Sequence, residues 1–324
     1  MRGGLTVRVG PADVGKRVSL RTLTEPGDPA GRFTDTVGVL TAWTDGSLEV
    51  TRRDGSAVRL RESALVAGKV VPDTPARRRG LPAADVPELT AVAARAWPAA
   101  ATERIGDWLV RAAGGWTRRA NSACALGDAP PDLARISAWY AARGLPPAFQ
   151  LATGQELLAA GLERRGWAAS GHAVVQIAAL APLADREPVE RVRVEGELTA
   201  AWLSGWPRAA DAPGTAERVL AGGRTTLFAL APGSGPRPAA VGRCVVDGRW
   251  AGFTAVRVDP AHRGTGLARE VMAALARAAL DAGASAAHLQ VETDNAAART
   301  LYRSLGFADH HHYHYRSPTE ADRR

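Results

Sequence analysis

Residues 256–260 read VRVDP, and residues 263–268 read RGTGLA after two intervening positions. The first segment closes an alternating apolar run that predicts a strand over 251–258, and the second opens a helix predicted over 266–282. Glycines at such a strand-to-helix turn let the backbone approach an anion, and the free amides of the first helical turn favour phosphate. Arg263 adds a cation beside them. The pattern therefore predicts a phosphate-binding turn.

Two common nucleotide-binding motifs do not fit this turn. A Walker loop continues as Gly-Lys-Ser/Thr, whereas Gly266 is followed by Leu267 and Ala268. A Rossmann fingerprint has a different glycine spacing and an acidic residue that ends the next strand. The turn is therefore predicted to be a phosphate-binding motif of a different class.

A second set of motifs lies further along the chain: VETDN at 291–295, ARTLY at 298–302 and LGF at 305–307. The RGTGLA segment fits the pattern Arg/Gln-x-x-Gly-x-Gly/Ala at every defined position. In their order and spacing the two sets resemble the Gcn5-related N-acetyltransferase (GNAT) superfamily. The chain also resembles actinobacterial members in which tandem GNAT units follow a small β-barrel.

The resemblance implies roles for particular residues toward acetyl-CoA, the expected co-substrate. The backbone of Val256, Arg257 and Val258 would pair with the pantetheine arm like an added strand, and an amide there would hold the oxyanion. Asn295 would touch the same arm, and Tyr302 would protonate the departing thiolate. The amides expected to hold the pyrophosphate are those of Arg263, Gly264, Thr265, Gly266, Leu267 and Ala268.

The spacing of Asn295 and Tyr302 independently places both residues on one side of a helix predicted over 295–305, because seven positions are about two turns. The alternative for Tyr302 is simple packing as a half-buried aromatic residue. Many relatives carry a glutamate on the strand before the glycine turn, and WAGFTA at 250–255 offers none. The candidates for the general base are therefore Glu292, Asp247 and His262, with proton relay to solvent as the alternative.

The rest of the chain predicts an α+β protein. Residues 1–72 are expected to form a small all-β barrel of the Src-homology type, since tight-turn pairs such as Asp45-Gly46 and Asp54-Gly55 separate short alternating segments. Residues 73–82 are expected to be a linker, 83–182 a degenerate GNAT-like unit, 187–316 the catalytic GNAT domain and 317–324 a tail. Each GNAT-like unit is expected to be a mixed sheet flanked by helices. The predicted barrel strands are 17–23, 36–43, 47–52, 57–60 and 65–70.

Residues 83–182 and 187–316 align with each other, which suggests an internal duplication. Gly166-Trp167 matches Gly306-Phe307, and the helix predicted over 155–165 matches the one over 295–305. The alternative is that any helix ending in glycine before a strand gives this likeness. In the first copy GDAPPD stands at 127–132, where prolines remove amide donors, and Leu162 replaces the tyrosine. We expect that copy to bind no acetyl-CoA and to wall the substrate cleft.

Composition bounds the remaining possibilities. The formal net charge is +8, yet the basic residues are spread along the chain rather than clustered, which does not favour nucleic acid as a partner. Cys124 and Cys244 are expected to be buried free thiols. No apolar run is long enough for a bilayer and no signal peptide is recognised, so a cytoplasmic protein without a membrane partner is expected. A homodimer is left open.

Two aromatic clusters have competing interpretations. The segment HHHYH at 310–314 invites a metal site, but no carboxylate or cysteine joins it in register, so we expect no metal and a solvated strand end. Trp202 and Trp206 lie where relatives place substrate-recognising helices. Their side chains are expected either to line the acceptor pocket or to pack in the core.

The predicted function is transfer of the acetyl group of acetyl-CoA to a primary amine of unknown identity, in a small molecule or a protein, by direct attack in a ternary complex. The alternatives are a catalytically silent acetyl-CoA sensor and an adaptor that acts through the N-terminal barrel.

Overall fold

The computed structural model describes residues 7–23, 33–52, 55–71, 77–186 and 191–319. The chain divides into two compact units, one of Met1–Ala76 with Asp281–Gly283, the other of Arg77–Leu280 with Ala284–Arg324. Residues 72–76 around the expected linker, Asp54, residues 187–190 and the end of the tail from 320 lie outside the described residues. No helix of the described segments has the length and apolar character needed to cross a membrane.

The first unit contains a six-stranded sheet in the order β1-β6-β2-β3-β4-β5. Its core alternates along the strands, as in Val18 and Leu20 of β2 or Leu48 and Val50 of β4, all buried. All five predicted strands are present, but β1 and β5 are not paired with each other among the described residues, so the closed barrel is not confirmed. The strands are β1 (Val7–Arg8), β2 (Arg17–Leu23), β3 (Phe33–Thr44), β4 (Ser47–Thr51), β5 (Ala57–Arg61) and β6 (Leu65–Val70).

The second unit is an α+β structure with one long mixed sheet and flanking helices. Its strands are β7 (Ala101–Ile105), β8 (Trp108–Ala112), β9 (Ala123–Ala125), β10 (Phe149–Ala152), β11 (Trp167–Ala179), β12 (Arg193–Glu195), β13 (Thr225–Ala231), β14 (Ala240–Asp247), β15 (Trp250–Val258), β16 (Ala286–Glu292) and β17 (Ala308–Pro318). Its helices are α1 (Val86–Ala96), α2 (Leu133–Ala141), α3 (Glu156–Glu163), α4 (Leu180–Ala184), α5 (Ala200–Ser204), α6 (Pro213–Ala221), α7 (Leu267–Asp281) and α8 (Ala296–Ser304).

The eleven strands follow the order β12-β13-β14-β15-β16-β11-β17-β10-β9-β8-β7. Two neighbouring pairs are parallel, β15 with β16 and β9 with β10, and the other pairs are antiparallel. The sheet therefore has one parallel pair in each half, and each parallel pair is linked through a helix, α7 or α2.

The two halves repeat each other at an offset of 140 residues. Phe149 of β10 pairs with Arg316 of β17. Moving Phe149 forward and Arg316 back by 140 positions gives Leu289 of β16 and Gln176 of β11, which also pair. The next three pairs of each ladder obey the same rule. The alignment of the sequence analysis, which used this offset, therefore matches residue-level pairing in the sheet.

The last strand of each half lies in the other half. Strand β11 follows α3 in sequence but pairs with β16, and β17 follows α8 but pairs with β10. The two strands also pair with each other at the centre of the sheet. Because of this exchange, residues 83–182 and 187–316 share one sheet and lie within one compact unit.

Packing beside the parallel strands β15 and β16 mixes the two halves as well. The core under α7 contains Val271 and Leu275 of that helix, Phe253 of β15 and Leu289 of β16, all buried. It also contains Val174 of β11. The hydrophobic core of the second half is therefore completed by a strand from the first half.

The histidine segment is not at a strand end, so that expectation is wrong. Strand β17 runs from Ala308 to Pro318 in the middle of the sheet, between β11 and β10. A bulge at His310 also interrupts the pairing of β17 with β11, since Val175 pairs with His311 while Gln176 pairs with Asp309. The sequence could not show the bulge, because its cause lies in pairing with a distant strand.

Candidate functional site

The two parallel strands β15 and β16 diverge halfway along their length. Trp250 to Phe253 pair with Ala286 to Leu289, and beyond Phe253 the register of β15 with β16 ends. Among the described residues, the rest of β15, from Thr254 to Val258, is paired only on its other side, with β14. The free edge of these residues can therefore pair with an extended ligand.

A bulge lies where the strands diverge. Val241 of β14 pairs with Arg257 and Arg243 pairs with Thr254, so Ala255 and Val256 together face the single residue Gly242. Ala255 has a φ of 52°, a conformation that alanine rarely adopts. Such a bulge turns backbone groups away from the regular ladder and toward a site. Nothing in the local sequence marked Ala255 as this position.

The glycine turn follows β15 directly. Gly264 and Gly266 have φ values of 78° and 82°, and a Cβ at Gly264 would meet nothing within 4 Å, so the backbone angle rather than space requires glycine there. Helix α7 begins at Leu267. Within the described residues, the amides from Gly264 to Ala268 donate to no backbone carbonyl.

The amide of Arg263 differs from those five. It donates to the carbonyl of Pro260 at 3.4 Å, and the Arg263 side chain lies back over Val258, with Nε 3.5 Å from its carbonyl oxygen. Five consecutive amides at a helix N-terminus are therefore available to an anion, and the guanidinium of Arg263 lies at the end of β15 beside them.

Helix α8 places Asn295 and Tyr302 beside the divergent strands. Asn295 caps the helix, with its Oδ1 accepting the amide of Ala298 at 3.1 Å. Tyr302 is half-buried and packs edge-on against Phe307, with ring centroids 5.9 Å apart. Burial raises the pKa of the Tyr302 hydroxyl to about 12. Both predicted residues line one cavity, as their seven-residue spacing required.

This cavity, which we call the acceptor cavity, has a volume of about 280 Å³. It is bounded by the divergent end of β15, by the end of β16, by α8 and by segments of the first half of the sheet. Its lining residues are Trp97, Trp116, Thr117, Arg118, Arg119, Gly171, Ala173, Trp206, Arg208, Phe253, Thr254, Ala255, Val256, Gln290, Val291, Glu292, Asn295, Ala298, Tyr302, Tyr313 and Tyr315.

Of the three candidate bases, the structure brings only Glu292 to the acceptor cavity. Glu292 ends β16 and its carboxylate lies 3.3 Å from the guanidinium of Arg118. Asp247 lies at the opposite end of the β14–β15 hairpin, where it pairs with Arg95. His262 lies in the short 3-10 helix after β15, with Nδ1 3.8 Å from a carboxylate oxygen of Asp259. Neither Asp247 nor His262 lines the cavity.

Much of the cavity wall comes from residues that the sequence analysis did not single out. Trp97 stacks on Trp116 with ring centroids 5.8 Å apart, and the Arg119 guanidinium lies 5.6 Å from the Trp97 ring. Tyr313 and Tyr315 come from β17, the exchanged strand. Their places in the wall depend on the exchange and on loops of the first half, for which no local sequence pattern exists.

The corresponding turn of the first half already carries carboxylates. The amide of Ala129 donates to Asp107 Oδ2 at 3.1 Å, and Asp132 caps α2 by accepting the amide of Arg135 at 3.0 Å. Leu162, at the position equivalent to Tyr302, is fully buried. Two carboxylates at this turn repel phosphate, which supports the expectation that this half binds no acetyl-CoA.

The two tryptophans of the predicted recognition region have different places. Trp202 is buried, and its indole N–H donates to the carbonyl of Gly242 at 3.1 Å, whereas Trp206 lines the acceptor cavity. Over the described segments, no group of three or more His, Cys, Asp or Glu side chains has the arrangement of a metal site. His172 and His314 stack at 5.3 Å beside a second cavity at α3.

A mixed sheet with a divergent parallel pair, followed by a glycine turn into a helix, is the arrangement of the GNAT fold that the sequence motifs resemble. Residues 83–316 match the family model described as "Probable histone acetyltransferase Rv0428c C-terminal". The chain belongs to this family, within the Gcn5-related N-acetyltransferase superfamily of acetyl-transferring enzymes.

Individual comparisons agree. The chain is 30% identical over 305 residues to the "Probable histone acetyltransferase Rv0428c" of Mycobacterium tuberculosis, covering 93% of this chain and 94% of that protein. It is 27% identical over 246 residues to the "Uncharacterized N-acetyltransferase YobR" of Bacillus subtilis, covering 72% and 98%. The solved structure of a GCN5-related N-acetyltransferase from Kribbella flavida shares the fold, with a TM-score of 0.51 at 17% identity, covering 72% of this chain and 97% of that one.

Proposed function

We propose that the chain transfers the acetyl group of acetyl-CoA to a primary amine by direct attack in a ternary complex. One observation carries the proposal. The free edge of β15 at Ala255 and Val256, the N-terminus of α8 at Asn295 and the Tyr302 side chain all line one cavity, and β15 leads directly into the glycine turn.

The residues fit acetyl-CoA along its whole length. The unpaired edge of Val256, Arg257 and Val258 offers backbone donors and acceptors to an extended pantetheine arm. The five open amides from Gly264 to Ala268 suit the pyrophosphate. The Oδ1 of Asn295 is used in capping, and its side-chain NH2, which has no acceptor within the described residues, can donate to the arm. Acetyl-CoA supplies the activated thioester.

At the reacting centre, the bulge supplies the electrophilic assistance. An amide freed from the ladder at Ala255–Val256 would donate to the thioester carbonyl and stabilise the oxyanion as the amine nitrogen attacks. The carbon–sulfur bond then breaks, and the thiolate takes a proton from the Tyr302 hydroxyl. Because burial raises the pKa of this hydroxyl to about 12, Tyr302 holds its proton at neutral pH until the thiolate forms.

The attacking amine must also lose a proton. Glu292 is the only carboxylate of the described residues that lines the cavity, and we propose that it accepts this proton directly or through water. Its carboxylate lies 3.3 Å from the guanidinium of Arg118, and both side chains are largely exposed to solvent. The alternative is transfer to solvent without a dedicated base, and substitution of Glu292 separates the two.

Purified full-length chain is to be incubated with acetyl-CoA and a broad panel of primary amines, with release of the CoA thiol and the mass of the acetylated product as readouts. We expect stoichiometric thiol and product with at least one amine. Binding of acetyl-CoA without release of thiol with any amine would contradict the proposal and favour a silent acetyl-CoA sensor.

A further inference from the structure

Two buried hydrogen-bond donors in the acceptor cavity have no partner. The Nε of Arg119 and the Nε1 of Trp206 are both inaccessible to solvent and lack an acceptor within the described part of the chain. Both residues line the cavity. Guanidinium and indole N–H groups donate and never accept, and a buried unpaired donor is costly. The two groups therefore call for an acceptor on a ligand.

The charged side chains that line the cavity also favour an anionic ligand. Three arginines line it, Arg118, Arg119 and Arg208, against the single carboxylate of Glu292. Glu292 is paired with Arg118. The backbone carbonyl of Arg208 is fixed by the indole N–H of Trp116 at 3.0 Å, and within the described residues its guanidinium has no acidic partner. Within the described residues, neither Arg119 nor Arg208 is therefore paired with a carboxylate.

Arg119 is held in a fixed position. Burial alone would lower the pKa of its guanidinium, but the neighbouring hydroxyls of Tyr313 and Tyr315 favour the charged form, and the pKa is raised overall. The guanidinium also lies over the face of Trp97. A guanidinium immobilised in this way binds a planar oxyanion at little entropic cost.

The rest of the cavity wall is mixed: polar side chains such as Thr117, Thr254 and Gln290 lie beside aromatic ones. Trp97, Trp116 and Phe253 contribute rings, and the volume of about 280 Å³ suits a small ligand rather than a folded segment of another chain.

We propose that the acceptor is a compact primary amine that also carries a carboxylate, as an α-amino acid does. The inference rests on the proposed acetyl transfer and specifies its substrate class. The carboxylate would accept from Arg119 and Trp206 and lie within the field of Arg208, while the amine faces the bulge of β15. Polycationic acceptors such as polyamines or lysine-rich tails, including the substrate suggested by the name of the M. tuberculosis relative, would meet the positive charge of these arginines.

The test compares matched amines that differ in the acid group: L-phenylalanine, L-phenylalanine amide and 2-phenylethylamine, with spermidine and a lysine-rich peptide as cationic acceptors. Thiol release and product mass give kcat/KM for each. We expect L-phenylalanine to exceed its amide and the decarboxylated amine by about tenfold or more, because charge-assisted hydrogen bonds are lost in the latter two. Equal or faster turnover of the amide, the amine or the cationic acceptors would overturn the proposal.

Variants of the cavity arginines test which residues cause the preference for a carboxylate. We expect Arg119→Gln and the exposed Arg208→Gln to raise KM for L-phenylalanine at least about threefold while leaving KM for 2-phenylethylamine unchanged. Arg164→Gln, at an exposed arginine at the end of α3 outside the cavity, is the matched control and should change neither. Because Arg208 is exposed, its substitution keeps the test valid if Arg119→Gln fails to fold. An equal effect on both amines would overturn the proposal.

A binding measurement separates this inference from the proposed function. N-acetyl-L-phenylalanine and N-acetyl-2-phenylethylamine are titrated into the CoA-loaded protein by calorimetry, which needs no turnover. Tighter binding of the carboxylate, by about tenfold, supports the inference even if no amine is acetylated. Equal binding, or no binding of either compound, overturns it even if acetyl transfer is observed.

Discussion

Ala173 of β11 lies directly opposite Tyr313 of β17, its own counterpart 140 residues further along the chain. A pseudo-twofold relation therefore passes through this pair, and both residues line the acceptor cavity. Hydrogen bonds around the pair repeat in the same way: the amide of Thr153 donates to His312 at 2.9 Å, and that of Thr293 donates to His172 at 3.0 Å. The acceptor cavity thus lies where the two halves exchange strands.

The exchange predicts that the catalytic half cannot fold alone. A fragment of residues 187–316 lacks β11, which covers the edge of β16, and it lacks Val174 of the shared core. We expect no cooperative thermal transition for 187–316 and a single cooperative transition for 83–316, followed by circular dichroism. A cooperative transition of the shorter fragment would contradict the interdependence of the halves.

Charge at the glycine turn should control acetyl-CoA affinity. Thr265 is exposed between the two glycines with positive φ. We expect Thr265→Asp to raise KM for acetyl-CoA by about tenfold or more, because a carboxylate there repels the pyrophosphate. Thr265→Asn, nearly the same in shape but neutral, is the control and should change KM little. The difference should shrink at high salt, and equal KM values for the two variants would exclude the turn as the phosphate site.

Tyr302 should affect the chemical step and not cofactor binding. We expect Tyr302→Phe to lower kcat about a hundredfold, the usual contribution of a general acid, with unchanged affinity for CoA by calorimetry. The pKa of about 12 lies above the ordinary tyrosine value, so the acid form persists as pH rises and is lost only near pH 12. Between pH 8 and 10, ionisation of Tyr302 should therefore not lower the kcat of the wild-type protein. Unchanged kcat in the variant would leave Tyr302 a packing residue.

Glu292 can be distinguished from solvent as the proton acceptor. Glu292→Gln should lower kcat about a hundredfold at neutral pH if the carboxylate is the base, with partial recovery at high pH, where more of the amine is already neutral. Asp247→Asn, at the far end of the β14–β15 hairpin, removes another ion-paired carboxylate and should leave kcat unchanged. Equal kcat in the two variants would favour relay to solvent.

Local patterns were sufficient for the predicted strands of the first unit, for several elements of the second unit and for the motif residues. Strands β2 and β6 match the predicted bounds, and α8 lies within the predicted helix, because alternation, helical spacing and glycine stops are local signals. The seven-residue spacing likewise placed Asn295 and Tyr302 in one cavity. These features depend on neighbours within about two helical turns.

Non-local features could not be predicted. The exchange of β11 and β17 and the bulge at His310 depend on strands more than a hundred residues away. The bulge at Ala255 depends on the register of β15 with its neighbour β14, and the unpaired donors of Arg119 and Trp206 depend on how the cavity wall packs. A duplicated sequence has the same local pattern whether the last strand of each half pairs within its own half or with the other half. The sequence analysis therefore expected the first half to wall the substrate cleft but could not name the residues of that half that line the cavity.

A crystal structure of the full chain with CoA tests the central claim most directly. We expect the pantetheine arm along the free edge of Val256 to Val258, the pyrophosphate on the amides of Gly264 to Ala268, and the sulfur within hydrogen-bonding distance of the Tyr302 hydroxyl. CoA bound at the turn before α2, or with its sulfur away from the acceptor cavity, would contradict the account.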